Sequence, residues 1–171
     1  MTLATGLTLF RGALVGPTVA FVLLGRPLLA LIFFSLAVVT DAVDGLVARA
    51  RHEVTTLGAL LDPAMDKLLY IGIFSALAAT GHLPFWGPLL YGIPQLGLGV
   101  GTLVLWRRRK ALMAHWPGKA AAALTALAAV ALLLTSWGAI PFWLAVAANF
   151  LAAFYYLWVQ TRAGTPTAPG R

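Results

Sequence analysis

Six long apolar stretches, separated by breaker residues and charges, organise this sequence. They lie near 4–24, 27–48, 57–80, 85–106, 117–137 and 140–161. A helix crosses the hydrocarbon layer of a bilayer with roughly 20 mostly apolar residues, so each stretch is long enough for one pass. Most connections are very short, which favours antiparallel neighbours. The pattern predicts an all-α integral membrane protein with six transmembrane helices.

Composition agrees with this pattern and limits the number of domains. Apolar residues make up 61% of the chain and charged residues 10%, which is too apolar for an ordinary soluble domain. We expect a single six-helix transmembrane domain over residues 1–162, which also contains the candidate chemistry. The segment 163–171 is small, polar and proline-punctuated, so we expect a disordered cytoplasmic tail. Cysteine is absent, which excludes disulfides and thiolate metal sites.

The basic residues predict the orientation, because Lys and Arg collect in cytoplasmic loops. With the N-terminus inside, Arg26 alone falls in an outside loop, whereas Arg11, Lys67 and Lys119 fall in the cytoplasmic halves of spans. The inside loops and tail hold Arg49, Arg51, Arg107, Arg108, Arg109, Lys110, Arg162 and Arg171. Both termini are therefore predicted to be cytoplasmic. Topology explains the net charge of +7 better than nucleic-acid binding does, so no nucleic-acid partner is expected.

The position of Arg11 also bears on processing. It lies inside the first apolar stretch rather than ahead of it, unlike the basic region of a cleavable signal peptide. We expect the N-terminus to stay on the mature protein.

The acidic residues cluster in one short part of the chain. Asp41, Asp44, Glu53, Asp62 and Asp66 are the only five acids, and they fall within 26 positions. A carboxylate inside a transmembrane helix costs several kcal/mol, yet four of the five lie in the second and third spans, near the cytoplasmic ends. Glu53 lies in the loop between those spans and is expected to be a solvated residue. The four aspartates are therefore candidates for a functional site.

The spacing of the four aspartates indicates a metal site. Asp41 and Asp44 share one helix face, and Asp62 and Asp66 share a face of the next helix, because residues three or four apart are neighbours on a helix. Crowded carboxylates repel one another unless cations neutralise them. Ligation by oxygen alone favours Mg²⁺ or Mn²⁺, and four carboxylates can hold two ions, as in sites that clamp phosphoryl groups.

Two structural alternatives accompany the metal site. The aspartates could pair with Arg49, Arg51 and Lys67 as staples of the bundle, although a staple needs fewer than four acids on matched faces. The small residues on the same faces could serve close helix packing or leave room for a ligand, and spacing does not separate these two uses. These small residues are Gly45, Ala48 and Gly58.

The same residues complete a known motif, D-x-x-D-G-x-x-A-R followed after about eight residues by G-x-x-x-D-x-x-x-D. This motif resembles the signature of the CDP-alcohol phosphatidyltransferases, and the six-span layout extends the resemblance over most of the chain. The motif positions are Asp41, Asp44, Gly45, Ala48, Arg49, Gly58, Asp62 and Asp66. Leu7-Thr8 with Arg11 is similar to the L-T-x-x-R of many first helices in the family.

The resemblance implies transfer of a phosphatidyl-type group from CDP-diacylglycerol, or a similar CDP-lipid, to an alcohol acceptor with release of CMP. It implies that Asp41, Asp44, Asp62 and Asp66 bind two Mg²⁺ or Mn²⁺ ions and that Asp66 is also the catalytic base. It assigns to the CDP-lipid pocket Gly45, Ala48, Arg49 and Gly58, with weaker assignments for Thr8, Arg11 and Lys119. It also implies membrane lipids as partners, a homodimer, and an active site facing the cytoplasm, here of a bacterial inner membrane.

The acceptor is predicted from a smaller part of the chain. Asp62-Pro63 followed by Asp66-Lys67-Leu68-Leu69 is similar to phosphatidylglycerophosphate and cardiolipin synthases, which favours glycerol-3-phosphate. Those relatives carry an Arg and an acid in the fourth helix, where this chain has Pro94-Gln95. Inositol phosphate, serine and phosphatidylglycerol therefore stay open as acceptors, with Arg107 to Lys110 or Lys119 as possible phosphate ligands. Two other classes also stay open, a divalent-cation transporter and a non-catalytic scaffold.

Overall fold

The computed structural model describes residues 3–51, 56–107 and 116–163, and within these ranges it leaves out the side chains of 3–5, 7, 42–51, 56–63, 98–107 and 160–163. In the described ranges the chain forms six α-helices. They are α1 (Leu3–Leu23), α2 (Pro27–Arg51), α3 (Thr56–Ala79), α4 (Gly87–Arg107), α5 (Trp116–Leu134) and α6 (Ala139–Ala163). The prediction of an all-α protein is confirmed for these residues. Of the predicted tail, 164–171 lies outside the described residues.

Glycine ends α1 and α3 in the same way. Gly25 and Gly81 have φ angles of 64° and 80°, a backbone conformation that glycine adopts without steric cost. The amide after each glycine donates to the carbonyl five residues earlier, from Arg26 to Phe21 and from His82 to Leu77, both at 2.9 Å. This is the Schellman arrangement, which satisfies the last carbonyls of a helix. It reverses the chain within a few residues at that end of the bundle.

The turn between α5 and α6 is tighter than the sequence pattern predicts. The apolar stretch continues to 137, but α5 ends at Leu134. Gly138 approaches α5 so closely that a Cβ atom there would lie 2.5 Å from the backbone of Leu132. The chain therefore turns back three residues early, because glycine permits this contact.

Aromatic side chains around α3 form the centre of the bundle. Phe74 of α3 makes edge contacts with Tyr91 of α4 and Phe142 of α6, at ring-centroid distances of 5.0 and 4.9 Å. Phe34 of α2 contacts Tyr70 of α3 at 5.8 Å. Such pairs add to the stabilisation that burial provides. Helix α3 also packs against α1 and α5, so it has a central position in the bundle.

The outer surface of the bundle is apolar. Side chains more than half exposed include Leu28, Ile32, Val39, Leu89, Ile93, Leu96, Leu127, Leu144, Leu151 and Phe154. An apolar surface of this extent is costly in water and is expected in contact with lipid. Within the described residues, the stretches Trp116–Leu134 and Ala139–Val159 are each long and apolar enough to cross a membrane. These features are consistent with a membrane protein.

Candidate active site

Arg11 joins two of the predicted metal ligands. Its side chain is fully buried, and its Nη1 atom donates hydrogen bonds to Oδ1 of Asp41 and to Oδ1 of Asp66. The second of these bonds is 2.8 Å long. The two carboxylates are 46% and 44% exposed, so they keep an accessible side while Arg11 holds them from within. Three helices, α1, α2 and α3, thus meet at one charged cluster.

The register of α2 and α3 explains why these two acids meet. Asp41 lies ten residues before the end of α2, and Asp66 lies ten residues after the start of α3. Since the two helices run in opposite directions, the two positions are at the same depth in the bundle. The sequence predicted this meeting of carboxylates, but it did not predict that Arg11 lies between them.

Glycine also brings α1 close to α3 beside this cluster. A Cβ atom on Gly12 would lie 2.8 Å from Sδ of Met65, which is too close for two unbonded atoms. Gly12 therefore lets Met65 pack directly against α1. Arg11 directly precedes Gly12, and Asp66 directly follows Met65. The close approach of α1 and α3 at Gly12 and Met65 is therefore consistent with the hydrogen bond between Arg11 and Asp66.

The charge balance of the cluster suits a divalent cation. One guanidinium neutralises one of two carboxylates, so the cluster retains a formal negative charge. Its accessible ligand atoms are carboxylate oxygens, which Mg²⁺ and Mn²⁺ prefer. The described part of the chain contains no group of three acids, histidines or cysteines, and the side chains of Asp44 and Asp62 lie outside that part. The described residues fit such an ion, and the full ligand set stays a prediction.

Several other predicted site residues lie where their side chains are not described. These are Gly45, Ala48, Arg49 and Gly58, together with Asp44 and Asp62. The loop acid Glu53 and residues Arg108 to Lys110 lie outside the described residues altogether. Thr8, which was assigned to the lipid pocket together with Arg11, is buried one helical turn before it. The roles of all these residues stay predictions.

A polar cavity of about 200 Å³ opens beside Asp66, between α3, α4, α5 and α6. Its polar wall consists of Asp66, Lys67, Tyr70, Tyr91, Gln95, Thr125 and Asn149. The rest of the wall consists of Gly118, Ala121, Ala122 and Ala152, whose small side chains leave the space open. The cavity therefore places a carboxylate and an ammonium group on one polar surface, with room for a small polar molecule.

Among the residues whose side chains are described, Lys67 is hydrogen-bonded to α4. Its Nζ atom donates a 2.9 Å hydrogen bond to the main-chain carbonyl of Gln95. The Gln95 side chain then donates from Nε2 to Oδ1 of Asn149 at 2.6 Å. Among the described carboxylates of the cluster, Asp41 and Asp66 are paired with Arg11. The described contact of Lys67 is therefore with α4, and the alternative in which basic residues staple acids of the bundle stays a hypothesis for the acids whose side chains are not described.

Sequence reasoning missed the amide residues of the cavity. Asn149 is the only asparagine in the chain, and Gln95 is one of two glutamines. Polar side chains in an apolar span tend to bond across helices, so their isolation was a usable signal. Lys119, a weaker candidate from the family resemblance, has an exposed side chain. Its neighbour Gly118, rather than Lys119, lines the cavity.

A second, larger cavity does not belong to this site. It is an apolar groove of about 420 Å³ between α5 and α6, lined in part by Trp116, Tyr155 and Trp158. Its described wall residues are apolar or aromatic, and it lacks the charged groups that surround Asp66. The chemistry is therefore assigned to the smaller, polar cavity.

Comparison with known proteins agrees with the motif. The profile of the CDP-alcohol phosphatidyltransferase family matches residues 1–154. A probable phosphatidylglycerophosphate synthase of Mycobacterium tuberculosis is 38% identical over 86 residues, which are 50% of this chain and 41% of that protein. The chain thus covers less than half of the length of this mycobacterial relative.

Two further relatives match over nearly their whole length. Both are named CDP-diacylglycerol--glycerol-3-phosphate 3-phosphatidyltransferase. The protein of Pectobacterium atrosepticum is 31% identical over 90% of this chain and 91% of its own length. The protein of Sodalis glossinidius is 30% identical over 92% of this chain and 94% of its own length. With the family profile covering the helices that carry Arg11, Asp41 and Asp66, the chain belongs to the CDP-alcohol phosphatidyltransferase family.

Proposed function

We propose that this protein transfers a phosphatidyl group from CDP-diacylglycerol to glycerol-3-phosphate and releases CMP. The observation that carries the proposal is the polar cavity at Asp66, which places the expected base and the Lys67 ammonium on one wall. A base and an anion-binding group are what a phosphorylated alcohol requires. The relatives named as glycerol-3-phosphate phosphatidyltransferases support this acceptor.

The proposed reaction assigns one proton transfer to Asp66. The acceptor oxygen bonds to the phosphorus of the phosphatidyl group, the bond from that phosphorus to CMP breaks, and the hydroxyl proton passes to the Asp66 carboxylate. Asp66 is half-exposed and lines the cavity, so an acceptor hydroxyl can reach it. Holding the hydroxyl beside its base supplies much of the rate enhancement in such reactions.

Lys67 is proposed to bind the acceptor phosphate. An ammonium group has three donors, and the bond to the Gln95 carbonyl uses one of them. The remaining donors are available to an anion in the cavity. Charge-assisted bonds of this kind are about twice as strong as neutral ones, so Lys67 would favour a phosphorylated acceptor over a neutral alcohol.

The proposed metal site consists of Asp41, Asp44, Asp62 and Asp66, which would hold two Mg²⁺ or Mn²⁺ ions. When bound, these ions would neutralise the diphosphate of the donor and the charge that develops on the departing CMP. The family motif assigns Gly45, Ala48, Arg49 and Gly58 to the donor pocket. Until the cations bind, Arg11 would be the positively charged partner of both Asp41 and Asp66.

The proposed setting is a bacterial inner membrane. All six helices would cross it, with both termini and the acidic cluster towards the cytoplasm, as the distribution of Lys and Arg predicts. Residues 1–162 would form one catalytic domain, and the protein would act as a homodimer among membrane lipids. The apolar outer surface supports this setting.

An acceptor screen tests the proposed function. Purified protein with CDP-diacylglycerol and Mg²⁺ or Mn²⁺ is offered glycerol-3-phosphate, inositol phosphate, serine, inositol and phosphatidylglycerol, and CMP release is measured. We expect release with glycerol-3-phosphate, loss of release in Asp66→Asn, and normal release in Glu53→Gln, which changes the acid outside the motif. Transport of Mn²⁺ into liposomes without any CMP release would support a cation transporter instead.

A further inference from the structure

A series of hydrogen bonds links four helices along the wall of the cavity. It begins at Lys67 of α3, continues through Gln95 of α4 and Asn149 of α6, and ends at Thr125 of α5. Its three links are 2.9, 2.6 and 3.0 Å long. All four residues line the cavity beside Asp66. These hydrogen bonds therefore connect the proposed phosphate ligand to two buried polar residues, Asn149 and Thr125.

Asn149 is the centre of this series. Its side chain is only 4% exposed, and its Oδ1 atom accepts the bond from Gln95. Its Nδ2 atom donates to Oγ1 of Thr125 at 3.0 Å and to the carbonyl of Ala145 at 2.8 Å. An amide with both ends bonded in an apolar interior is held in one orientation, because breaking any bond leaves an unpaired buried group.

Gln95 links Asn149 to Lys67 through its side chain and its main chain. Asn149 fixes the side-chain amide of Gln95, and the carbonyl of the same residue receives the Lys67 ammonium. Pro94, directly before Gln95, lacks an amide hydrogen and removes one bond of α4 at this point. The contacts of Gln95 with α3 and α6 lie at this turn of α4, where one internal hydrogen bond is missing.

We propose that Asn149 is a positioning residue for the acceptor, which sets the Lys67 ammonium where an anionic polyol phosphate binds. The inference rests on the proposed function and extends it to a residue in the last helix whose described hydrogen bonds go to Gln95, Thr125 and Ala145. Binding of the acceptor then depends on Asn149, whereas binding of the CDP-lipid does not.

Steady-state kinetics of CMP release test this role. In Asn149→Ala we expect the KM for glycerol-3-phosphate to rise about tenfold, the loss expected when one hydrogen-bonded group is removed. The KM for CDP-diacylglycerol and kcat should change less than about threefold. In a Lys67→Met background the same substitution should add no further rise, because both changes act through one ammonium group.

A matched variant controls for general loosening of α6. Val146 is buried in the same helix but does not line the cavity, so Val146→Ala should lower the melting temperature without changing the acceptor KM. If Asn149→Ala does not fold, Thr125→Val and Thr125→Ser test the same series of hydrogen bonds at Thr125, where it ends. We expect a raised acceptor KM for Thr125→Val and a normal one for Thr125→Ser, which keeps the hydroxyl.

The outcomes separate this inference from the proposed function. A wild-type protein that releases no CMP with any acceptor would overturn both. Normal wild-type turnover, with an unchanged acceptor KM in Asn149→Ala, would overturn the inference alone. A rise in KM that is just as large in the Lys67→Met background would also overturn it, because Asn149 would then act independently of Lys67.

Discussion

Lys67 and Gln95 link α3 to α4 through a 2.9 Å hydrogen bond between an ammonium group and a main-chain carbonyl. This contact holds a positive charge on the wall of the cavity, one residue away from the proposed base. The carbonyl cannot be removed by changing a side chain, so the position of the ammonium depends on the path of α4. Lys67 therefore differs from Lys119, the second lysine near the site, in the effect expected of its substitution.

Lys67→Met should raise the KM for glycerol-3-phosphate by about 10- to 100-fold, the range expected for losing a hydrogen bond to a charged group. The effect on a neutral acceptor such as inositol should be much smaller, since that molecule presents no phosphate. Lys119→Met is the control, because Lys119 is exposed and outside the cavity wall. Equal effects of the two substitutions would assign the phosphate to a different place.

Arg11→Met should destabilise the metal-free protein more than the metal-bound one. Without the guanidinium, two carboxylates lose their shared partner, and we expect a loss of about 1–3 kcal/mol for a partly exposed cluster. Added Mg²⁺ should reduce this loss, since a cation restores positive charge between the acids. Thermal unfolding with chelator and with Mg²⁺ measures both values. Arg26→Met, at an exposed position, should change neither.

An equal loss of stability with and without Mg²⁺ would contradict this expectation. It would mean that Arg11 and the cation do not act on the same carboxylates. The metal site would then have to be sought away from Asp41 and Asp66.

Gly12→Val should lower the rate of CMP release by separating α1 from α3. The added side chain, which is larger than a single methyl group, would meet Sδ of Met65. We expect rotation of Met65 to relieve only part of this contact and a shift of α3 to relieve the rest, which would move Asp66 away from Arg11. The double variant Gly12→Val with Met65→Ala should recover activity, because it empties the space again. Gly16→Val, one turn further along α1, is the control, since a Cβ atom there meets nothing within 4 Å. Failure of the double variant to recover would exclude this packing explanation.

Gly138→Ala should lower the stability of the fold by about 1–3 kcal/mol, a typical cost of overpacking. The new methyl group would meet the backbone of Leu132, which cannot move aside as a flexible side chain can. Thermal unfolding in detergent measures the change. Gly16→Ala should instead leave stability unchanged or raise it, because alanine favours a helix more than glycine does. An unchanged melting temperature for Gly138→Ala would show that the turn can relax.

The helices and the acidic cluster could be predicted because their physical causes are local. Apolar length determines where a span can lie, and the cost of a carboxylate in lipid singles out Asp41 and Asp66. Helix ends were predicted less accurately, as at Leu134, since the close approach of Gly138 to α5 is a contact in three dimensions. Hydropathy along the chain contains no information about that contact.

Partners across helices could not be predicted for the same reason. The sequence placed Arg11 in a lipid pocket by resemblance, whereas its bonds to Asp41 and Asp66 depend on how α1 packs against α2 and α3. Similarly, Gln95 was notable only for its lack of charge. Its bond to Asn149, 54 positions later in the chain, requires the relative placement of α4 and α6.

The burial of Arg11 also has a consequence for biogenesis. When α1 leaves the ribosome, its arginine has no carboxylate to pair with, and insertion scales assign about 2.5–3.5 kcal/mol to an arginine at the centre of a lipid-embedded helix. Asp41 and Asp66 arrive with the two helices synthesised next. If α1 spans the bilayer as predicted, we expect it to gain its full stability there only when the third helix has been inserted, so that these three helices would integrate into the membrane as a unit.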